Sequence, residues 1–462
     1  MLTTPRRLPW LGLVAIALLW PVAQHFRIDQ VRCESWPAPL LRLGLCLLYL
    51  LAVGLLFFVW QRLLQKSESG VFSFRHALFT AVGWHGAALF CPPFLSDDPL
   101  FYLAIGRVLH AQHPSLHAPL VDVLGPGDAV VRLLPLHWQA GTSAYQAGFH
   151  ALAWLVESLP GLSIGGRLTV YQSLSALVAL VTTLVCARLA VRCGKPAAYG
   201  ATLFGLSPLV LLEGTLSAHN DVWLACLLAL SALAWLSSRR VLCRLGLLLG
   251  LLVKLSAMLP LLTMTLSHAV PFVRRHKRWI ALCLVLGLTV LAFLWRFFPP
   301  FPQLKGHLTS VLFGSPDLPW DHCTRSIECL PRSILRYGLD RPDWSYRVGV
   351  AFRLLGGLWL VRVACADKNP LSATAWGLLS YYLFWHGWAQ TWYFLPVLPL
   401  RLFLSKPRGR ALEVLCGSGC GYYALALYRN CTTEPWQVAV CELLEGLATV
   451  LPPALCLCRR ND

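Results

Sequence analysis

The sequence predicts an all-α membrane protein, on the evidence of its composition, its apolar runs and the placement of its charges. Of its 462 residues, 57% are hydrophobic and 13% are charged, and its mean hydropathy is +0.60. Soluble domains carry about 25% charged residues, so this chain is too apolar to be one of them. We therefore expect a single multi-pass transmembrane domain over residues 1–462.

Apolar runs long enough to cross about 30 Å of hydrocarbon recur along the chain. Another run, Val241–Leu266, carries Lys254 at its centre and basic residues on both flanks, so we expect a re-entrant helical hairpin there. The remaining runs predict about twelve transmembrane helices. They lie near Leu8–Val22, Leu40–Trp60, Ala77–Phe94, Leu168–Val191, Ala197–Leu212, Val222–Leu236, Trp279–Phe298, Val348–Val363, Leu371–Trp385, Trp392–Leu404, Leu412–Leu427 and Trp436–Leu457.

The basic residues between these runs predict the orientation of the chain. A cytoplasmic N-terminus places nearly all of the basic clusters inside, as the positive-inside rule requires. The net charge of +18 then reflects topology, and we expect no nucleic-acid partner. This topology also places two long loops, residues 95–167 and 299–347, on the extracytoplasmic face.

The first outer loop contains two segments with helical spacing of apolar residues. In "PLFYLAIGRVLHAQ", Phe101, Ile105 and Leu109 share one helical face, and "AYQAGFHALAWLVESL" repeats the pattern. We expect both segments to form amphipathic helices on the membrane surface. In the second outer loop, Cys323 and Cys329 either form a disulfide or stay as free thiols.

Two adjacent carboxylates, Asp97 and Asp98, stand at the outer end of the third apolar run in "FLSDDPLFY". Ser96 or Asp97 could cap a helix that begins at Pro99. A cap needs only one of these side chains, however. Paired carboxylates at a membrane boundary also suit a general base that deprotonates a hydroxyl. Asp98 and Asp97 are therefore the candidate catalytic residues.

A second polar cluster lies at the predicted outer turn between the fifth and sixth spans. It contains Glu213, His219, Asn220 and Asp221, four polar side chains within nine residues. Asn220 or Asp221 could cap the following helix, but a cap does not need all four. Polar clusters at such a depth typically bind a polar ligand.

Lys254 and an aromatic segment near the C-terminus complete the candidate site. An ammonium deep in the bilayer needs an anionic partner, for which we expect the phosphate of a lipid. In "YYLFWHGWAQTWYFLPVLPL", most of the rings fit an interfacial aromatic belt. His386 lies among them, and aromatic rings beside hydrogen-bonding groups also suit the face of a sugar.

In their order along the chain, these motifs resemble those of the polyprenyl-phosphate-mannose-dependent α-1,6-mannosyltransferases, which are GT-C membrane glycosyltransferases. The resemblance runs from about Phe94 to Leu400 and departs from the family pattern at Gln146, Ala147, Ala218 and Leu255, among others. The similar segments are "SDDPLFYLAIGRVL", "HPSLHAP", "TSAYQAGF", "SAHNDVWLACLLALSALAWL", "LLVKLSAMLPLL" and "WAQTWYFLPVLPL".

The resemblance implies a GT-C architecture in a bacterial inner (plasma) membrane and a specific reaction. A hexose, expected to be mannose, passes from a polyprenyl phosphate sugar to an acceptor glycan or glycolipid. Transfer occurs on the extracytoplasmic face by inverting single displacement, with no metal or other cofactor. Asp98 is the expected base, with Asp97 as the second choice. The expected substrate-binding residues are Tyr102, Tyr145, His219, Asn220, Asp221, Lys254 and His386.

A transporter or flippase for a polar or lipid-linked solute is the alternative. Transporters tend to show internal repeats and polar sites at the midplane of the membrane. No repeat is evident here, and apart from Lys254 the candidate polar residues gather at the outer edge, which favours an enzyme. A scaffold without chemistry would leave the acidic pair and Lys254 unexplained.

Overall fold

The computed structural model describes residues 7–28, 39–111, 118–141, 143, 145–275, 342–386, 390–429 and 435–458. Within these ranges the chain is helical and has no β-strand, so the predicted all-α class is confirmed. Two compact units are formed, one by Met1–Met258 with Ala389–Asp462 and the other by Leu259–Trp388. The single domain over residues 1–462 stays a prediction.

The first unit is built from long helices with short connecting turns. Its helices are α1 (Leu8–His25), α2 (Pro39–Glu68), α3 (Phe74–Ala88), α4 (Asp98–His110), α5 (Leu120–Leu124), α6 (Leu136–Gln139), α7 (Ala147–Glu157), α8 (Ile164–Arg192), α9 (Ala197–Gly205), α10 (Asp221–Leu236) and α11 (Arg240–Val253). A π-helical turn, Val210–Leu216, lies between α9 and α10, and short 3₁₀ turns span Val131–Leu133 and Leu255–Ala257. After the second unit, a 3₁₀ segment, Thr391–Phe403, precedes three further helices.

The second unit contains α12 (Met258–Arg275), α13 (Pro342–Ala366), α14 (Pro370–Ser380) and a π-helical turn, Tyr381–Trp385. Side chains join its helices, since Thr263 Oγ1 donates to Thr374 Oγ1 at 3.1 Å and Trp359 Nε1 donates to Ser380 Oγ at 2.8 Å. The last three helices of the chain belong to the first unit. They are α15 (Lys406–Gly421), α16 (Tyr423–Arg429) and α17 (Pro435–Cys458).

Five helices in the described ranges are long and apolar enough to cross a membrane. They lie at Leu8–His25, Leu40–Glu68, Ile164–Arg192, Trp344–Ala366 and Val440–Cys458, and the bent pair Ala197–Gly205 and Val210–Leu216 makes a sixth if it is one span. The other predicted spans that are described are shorter or broken; α3, for example, ends at Ala88, before Pro92 and Pro93. The total of about twelve stays a prediction.

Two predicted regions fall largely outside the described residues. They are the span Trp279–Phe298 and the second outer loop, 299–347, of which only the last residues are described. Cys323 and Cys329 lie in the undescribed part. The predicted hairpin has a break at the expected place, because α11 ends at Val253 and Lys254 is extended, with φ −153° and ψ 136°. The re-entrant path itself stays a prediction.

The two helices expected on the membrane surface both form, and their position at the membrane stays a prediction, but α4 lacks the exposed face expected of an amphipathic helix. Every residue from Asp98 to Gly106 is buried. The helix packs against α7, and Trp138 of α6 lies against Phe101 with ring centroids 4.3 Å apart. Burial on all sides gives α4 a fixed position in the core.

The crossing of α4 and α7 depends on Gly106. A Cβ atom at this position would lie 2.5 Å from the backbone oxygen of Ala153, so the two helices would have to separate. We expect Gly106→Ala to lower the free energy of unfolding by about 1 to 3 kcal/mol, as overpacking does. Gly83→Ala is the matched control, because Gly83 is exposed in α3 and nothing lies within 4 Å of its added Cβ. The control should be neutral or stabilising in a thermal unfolding assay, and equal midpoints for the two variants would contradict this account.

Candidate active site

Asp98 begins α4 and is the point on which three side chains converge. Its Oδ2 atom lies 3.4 Å from Tyr102 Oη, 3.3 Å from Tyr145 Oη and 3.2 Å from His219 Nδ1. The two tyrosines donate hydrogen bonds, and the side chain of Asp98 keeps an exposed fraction of 10%. One carboxylate oxygen is therefore held by protein donors in a mostly buried setting.

Asp97 has a different environment from its neighbour. It lies at the N-cap of α4, where its backbone oxygen accepts from Leu100 N and Phe101 N, but its side chain makes no capping hydrogen bond. Ser96 Oγ accepts from Asp98 N at 3.2 Å instead. Helix initiation thus involves Ser96 and the backbone of Asp97, and leaves the carboxylate of Asp98 for other contacts.

Residues from distant parts of the sequence reach Asp98 because buried polar contacts join their segments. Gln172 of α8 donates through Nε2 to the backbone oxygens of Cys91, at 3.1 Å, and Leu216, at 2.8 Å. Tyr102 Oη also accepts from Asn220 N at 3.4 Å. These bonds hold the segment before Asp98 against the segment that contains His219.

His219 lies between two carboxylates. Its Nδ1 is 3.2 Å from Asp98, its Nε2 is 3.4 Å from Glu213 Oε2, and its ring stacks on Trp392 with centroids 3.9 Å apart. The contacts have the geometry of ion pairs rather than of linear hydrogen bonds. Glu213 is fully buried in the π-helical turn, and Tyr423 Oη donates to its Oε2 at 3.0 Å. This arrangement favours an imidazolium at His219.

The protonation states follow from these neighbours. Burial alone would lower the pKa of His219, but Asp98 and Glu213 raise it to about 9. Burial would likewise raise the pKa of Asp98, but His219, Lys254 and Tyr145 together lower it. Burial, followed by the charge of Asp98, raises the pKa of Tyr102 and of Tyr145 well above the usual range. At neutral pH the site therefore holds an ionised Asp98 among proton donors.

These shifts predict how stability depends on pH. Because its folded pKa is raised, His219 contributes stability that is complete below about pH 6.5 and is lost as the pH rises through about 9. Glu213→Gln removes one of the two charges that raise this pKa, so the loss should end at a lower pH than in wild type and be smaller overall. The charged groups around the ring are Asp98, Glu213 and Asp221. Lys254 also belongs to this set, because its charge acts on Asp98.

Thermal unfolding midpoints measured from about pH 6 to about pH 10 test this prediction. Glu413→Gln is the matched control, since Glu413 is also buried but pairs with Arg401 Nε at 2.7 Å, and arginine does not titrate in this range. The control should lower the midpoint without changing its pH dependence. Identical pH dependence in Glu213→Gln and wild type would contradict the assigned role of Glu213.

Asn220 presents an unsatisfied amide to the site. Its side chain is 1% exposed, and neither Oδ1 nor Nδ2 has a hydrogen-bond partner in the described part of the chain. It occupies the N-cap of α10 without making a side-chain cap. Because leaving a buried amide unsatisfied costs about 1 to 3 kcal/mol, such a group indicates a position where a polar ligand binds.

Lys254 finds its anionic partner within the protein. Its Nζ is 2.7 Å from Asp221 Oδ2 and lies over the ring of Tyr393, 4.5 Å from the centroid. The side chain of Lys254 is 14% exposed and that of Asp221 is 1% exposed. The predicted lipid phosphate is therefore not needed to neutralise the ammonium, although the remaining protons of Nζ can bind one.

The turn before His219 contains a strained backbone. Ala218 has φ +50°, in the left-handed region that favours glycine. Ala218→Gly should raise the free energy of unfolding by up to about 1 kcal/mol, because relief of strain exceeds the added entropy of the unfolded chain. Thermal unfolding measures the change. Ala225→Gly within helix α10 is the control and should destabilise; destabilisation by Ala218→Gly would contradict the prediction.

The first unit brings together most of the predicted site residues, namely Asp98, Tyr102, Tyr145, His219, Asn220, Asp221 and Lys254. His386 belongs to the second unit, where it packs edge-on against Tyr381 and Tyr382 at 5.6 and 5.8 Å, and its binding role stays a prediction. Sequence reasoning missed the contacts of Tyr423 with Glu213 and of Trp392 with His219. Both residues lie far along the chain. Trp392 belongs to the aromatic segment described above, although its contact with His219 was not predicted, and no local pattern marks Tyr423.

An all-helical chain with membrane-spanning helices and a buried site of carboxylates, histidine and tyrosines defines the class of a membrane-embedded enzyme. The model of one family, described as alpha-(1->6)-mannopyranosyltransferase, N-terminal domain, matches residues 11–270. The match covers more than half of the chain, so the chain belongs to this family of mannosyltransferases of the GT-C type. The predicted resemblance is confirmed. Neither the curated proteins nor the solved structures contain a match.

Proposed function

We propose that this protein transfers mannose from a polyprenyl phosphate to a hydroxyl of an acceptor glycan or glycolipid on the extracytoplasmic face. The observation that carries the proposal is the convergence of Tyr102, Tyr145 and His219 on one oxygen of Asp98. Family membership supports mannose as the sugar. The outer position of Asp98 in the predicted topology supports the extracytoplasmic face.

Asp98 acts as the general base of a single displacement. With Oδ2 held by protein donors, Oδ1 accepts the proton of the acceptor hydroxyl as that oxygen attacks the anomeric carbon. The bond from that carbon to the phosphate breaks, and its electron pair leaves with the phosphate. A lowered pKa keeps Asp98 ionised at neutral pH, the state that a base requires.

The leaving phosphate needs positive charge rather than a protonating acid. Lys254 supplies it, since its ammonium has three protons and Asp221 accepts only one of them at 2.7 Å. Asn220 is placed to hydrogen-bond the hydroxyls of a sugar, because both polar atoms of its amide lack protein partners in the described residues. The aromatic cluster of Tyr102, Tyr145 and Phe149 packs around the buried side of Asp98.

The stereochemistry provides a sharp test. The family name specifies an α-linked product, and a single displacement inverts the anomeric carbon, so the donor must be β-linked. Purified protein in liposomes should form α-linked mannosyl product from β-linked polyprenyl phosphate mannose and none from the α-linked donor. Transfer from the α-linked donor would contradict inversion, and transfer from a nucleotide sugar alone would contradict the donor class.

The same preparation tests the alternative of a transporter or flippase. If the protein moves the lipid-linked sugar across the bilayer without forming a glycosidic bond, the proposed function is wrong. Liposomes with donor and acceptor on the same face distinguish the two outcomes, because only a transferase forms a glycosidic bond there, whereas a flippase moves the donor to the other leaflet and forms no product.

A further inference from the structure

A groove away from Asp98 lies between α8, α10 and α11, with a volume of about 1210 Å³. This is larger than a typical small-molecule pocket of about 300 to 1,000 Å³. Its walls are aliphatic and include Leu184, Leu230 and Leu245, all of which are exposed in the structure. Its lining also contains three arginines, Arg188, Arg192 and Arg239.

The depth of the groove matches one leaflet of a bilayer. Its lining extends from Leu227 on α10 to Ser237, the C-cap of that helix, and from Arg239, the N-cap of α11, to Leu249. At a rise of 1.5 Å per residue, each stretch is about 15 Å long, half of a hydrocarbon core of about 30 Å. The arginines lie where α8 and α10 end and α11 begins, so the charged rim lies at one end and the leucines line the remaining depth.

The three arginines are not neutralised by the protein. None of them forms an ion pair with a carboxylate among the described residues. Other basic side chains at the same predicted face are paired, for example Lys195 with Glu68 and Arg401 with Glu413 at 2.7 Å. The rim therefore keeps three positive charges above an apolar cleft.

We propose that the groove binds an anionic diacyl phospholipid of the cytoplasmic leaflet. The phosphate is held at Arg188, Arg192 and Arg239, whose planar guanidinium groups suit bidentate binding of phosphate oxygens. The acyl chains lie along the leucine walls. Basic pockets between transmembrane helices on the cytoplasmic side bind such head groups. This site is separate from Asp98 and does not depend on the proposed function.

Native mass spectrometry of the purified protein with added phosphatidylglycerol or phosphatidylcholine tests the proposal. Wild type should bind phosphatidylglycerol more tightly, and the triple variant Arg188→Gln, Arg192→Gln, Arg239→Gln should bind it about tenfold or more weakly. The matched control removes three charges from the same predicted face outside the groove, through Arg7→Gln, Arg62→Gln and Lys66→Gln. It should bind as wild type does.

A second variant separates lipid binding from general effects of charge. Leu230→Trp keeps all three arginines but fills the groove, so it should also weaken phosphatidylglycerol binding. Unfolding midpoints close to that of wild type show that each variant is folded. Equal binding of the two lipids by wild type, or equal loss in the triple variant and its control, would overturn the proposal. Undiminished binding by Leu230→Trp would overturn the placement of the chains.

Discussion

Asp98→Asn is expected to lower kcat for mannose transfer by about 10²- to 10⁴-fold, the usual contribution of a general base. The asparagine oxygen can still accept from Tyr102 and Tyr145, so the local fold should survive. The amide cannot take a proton from the acceptor hydroxyl, however. The measurement is transfer of radiolabelled mannose from polyprenyl phosphate mannose by purified protein, with equal amounts of folded enzyme confirmed by unfolding midpoints.

Asp97→Asn is the control for this change, because it removes the same charge one residue away. Asp97 lies at the N-cap of α4 and is a less buried residue than Asp98. We expect the control to keep most of the transfer activity. If Asp97→Asn abolishes transfer and Asp98→Asn does not, Asp97 is the base. If both variants stay active, neither residue is the base.

Asp221→Asn is expected to destabilise the protein by about 3 kcal/mol, the lower end of the effect of removing one partner of a buried ion pair. The lower end applies because Lys254, which would be left unpaired, keeps an exposed fraction of 14%. A thermal or denaturant unfolding assay measures the change. Glu68→Gln breaks the pair with Lys195, whose side chains are 50% and 44% exposed, and should change stability by less than about 1 kcal/mol.

The double variant Asp221→Asn, Lys254→Met separates structure from chemistry. Removing both charges should restore most of the lost stability, since buried ion pairs are often replaced by uncharged side chains at little cost. Mannose transfer should stay low, because no cation then remains at this position for the leaving phosphate. A double variant that recovers both stability and transfer would show that Lys254 has a structural role only.

Much of the candidate site was predictable because polar and charged side chains are energetically unfavourable within a membrane. An acidic pair after an apolar run, four polar residues at one turn and a lysine within an apolar segment are each conspicuous against an apolar background. Such local contrasts pointed to Asp98, His219, Asn220, Asp221 and Lys254. The partners of these residues had no such signal.

The assignment of Lys254 shows why partners were harder to predict. The sequence indicates that an ammonium at this depth needs an anion, but not which anion. Asp221 is 33 residues away along the chain. Only the packing of α10 against α11, whose C-cap is Lys254, brings the two groups to 2.7 Å. The burial of α4 has a related cause, since an apolar stripe indicates one buried face but cannot show that α7 and other segments cover the rest of the helix.

The sequence by itself determined the helical membrane class, the family and the residue types of the site, because hydropathy, charge placement and motif order are local properties of the chain. Only the tertiary structure decided that Asp98, His219 and Glu213 lie in contact and that Tyr423 and Trp392 support them. These contacts join residues up to 210 positions apart. Their distances depend on how helices pack, which is a property of the whole fold rather than of any segment.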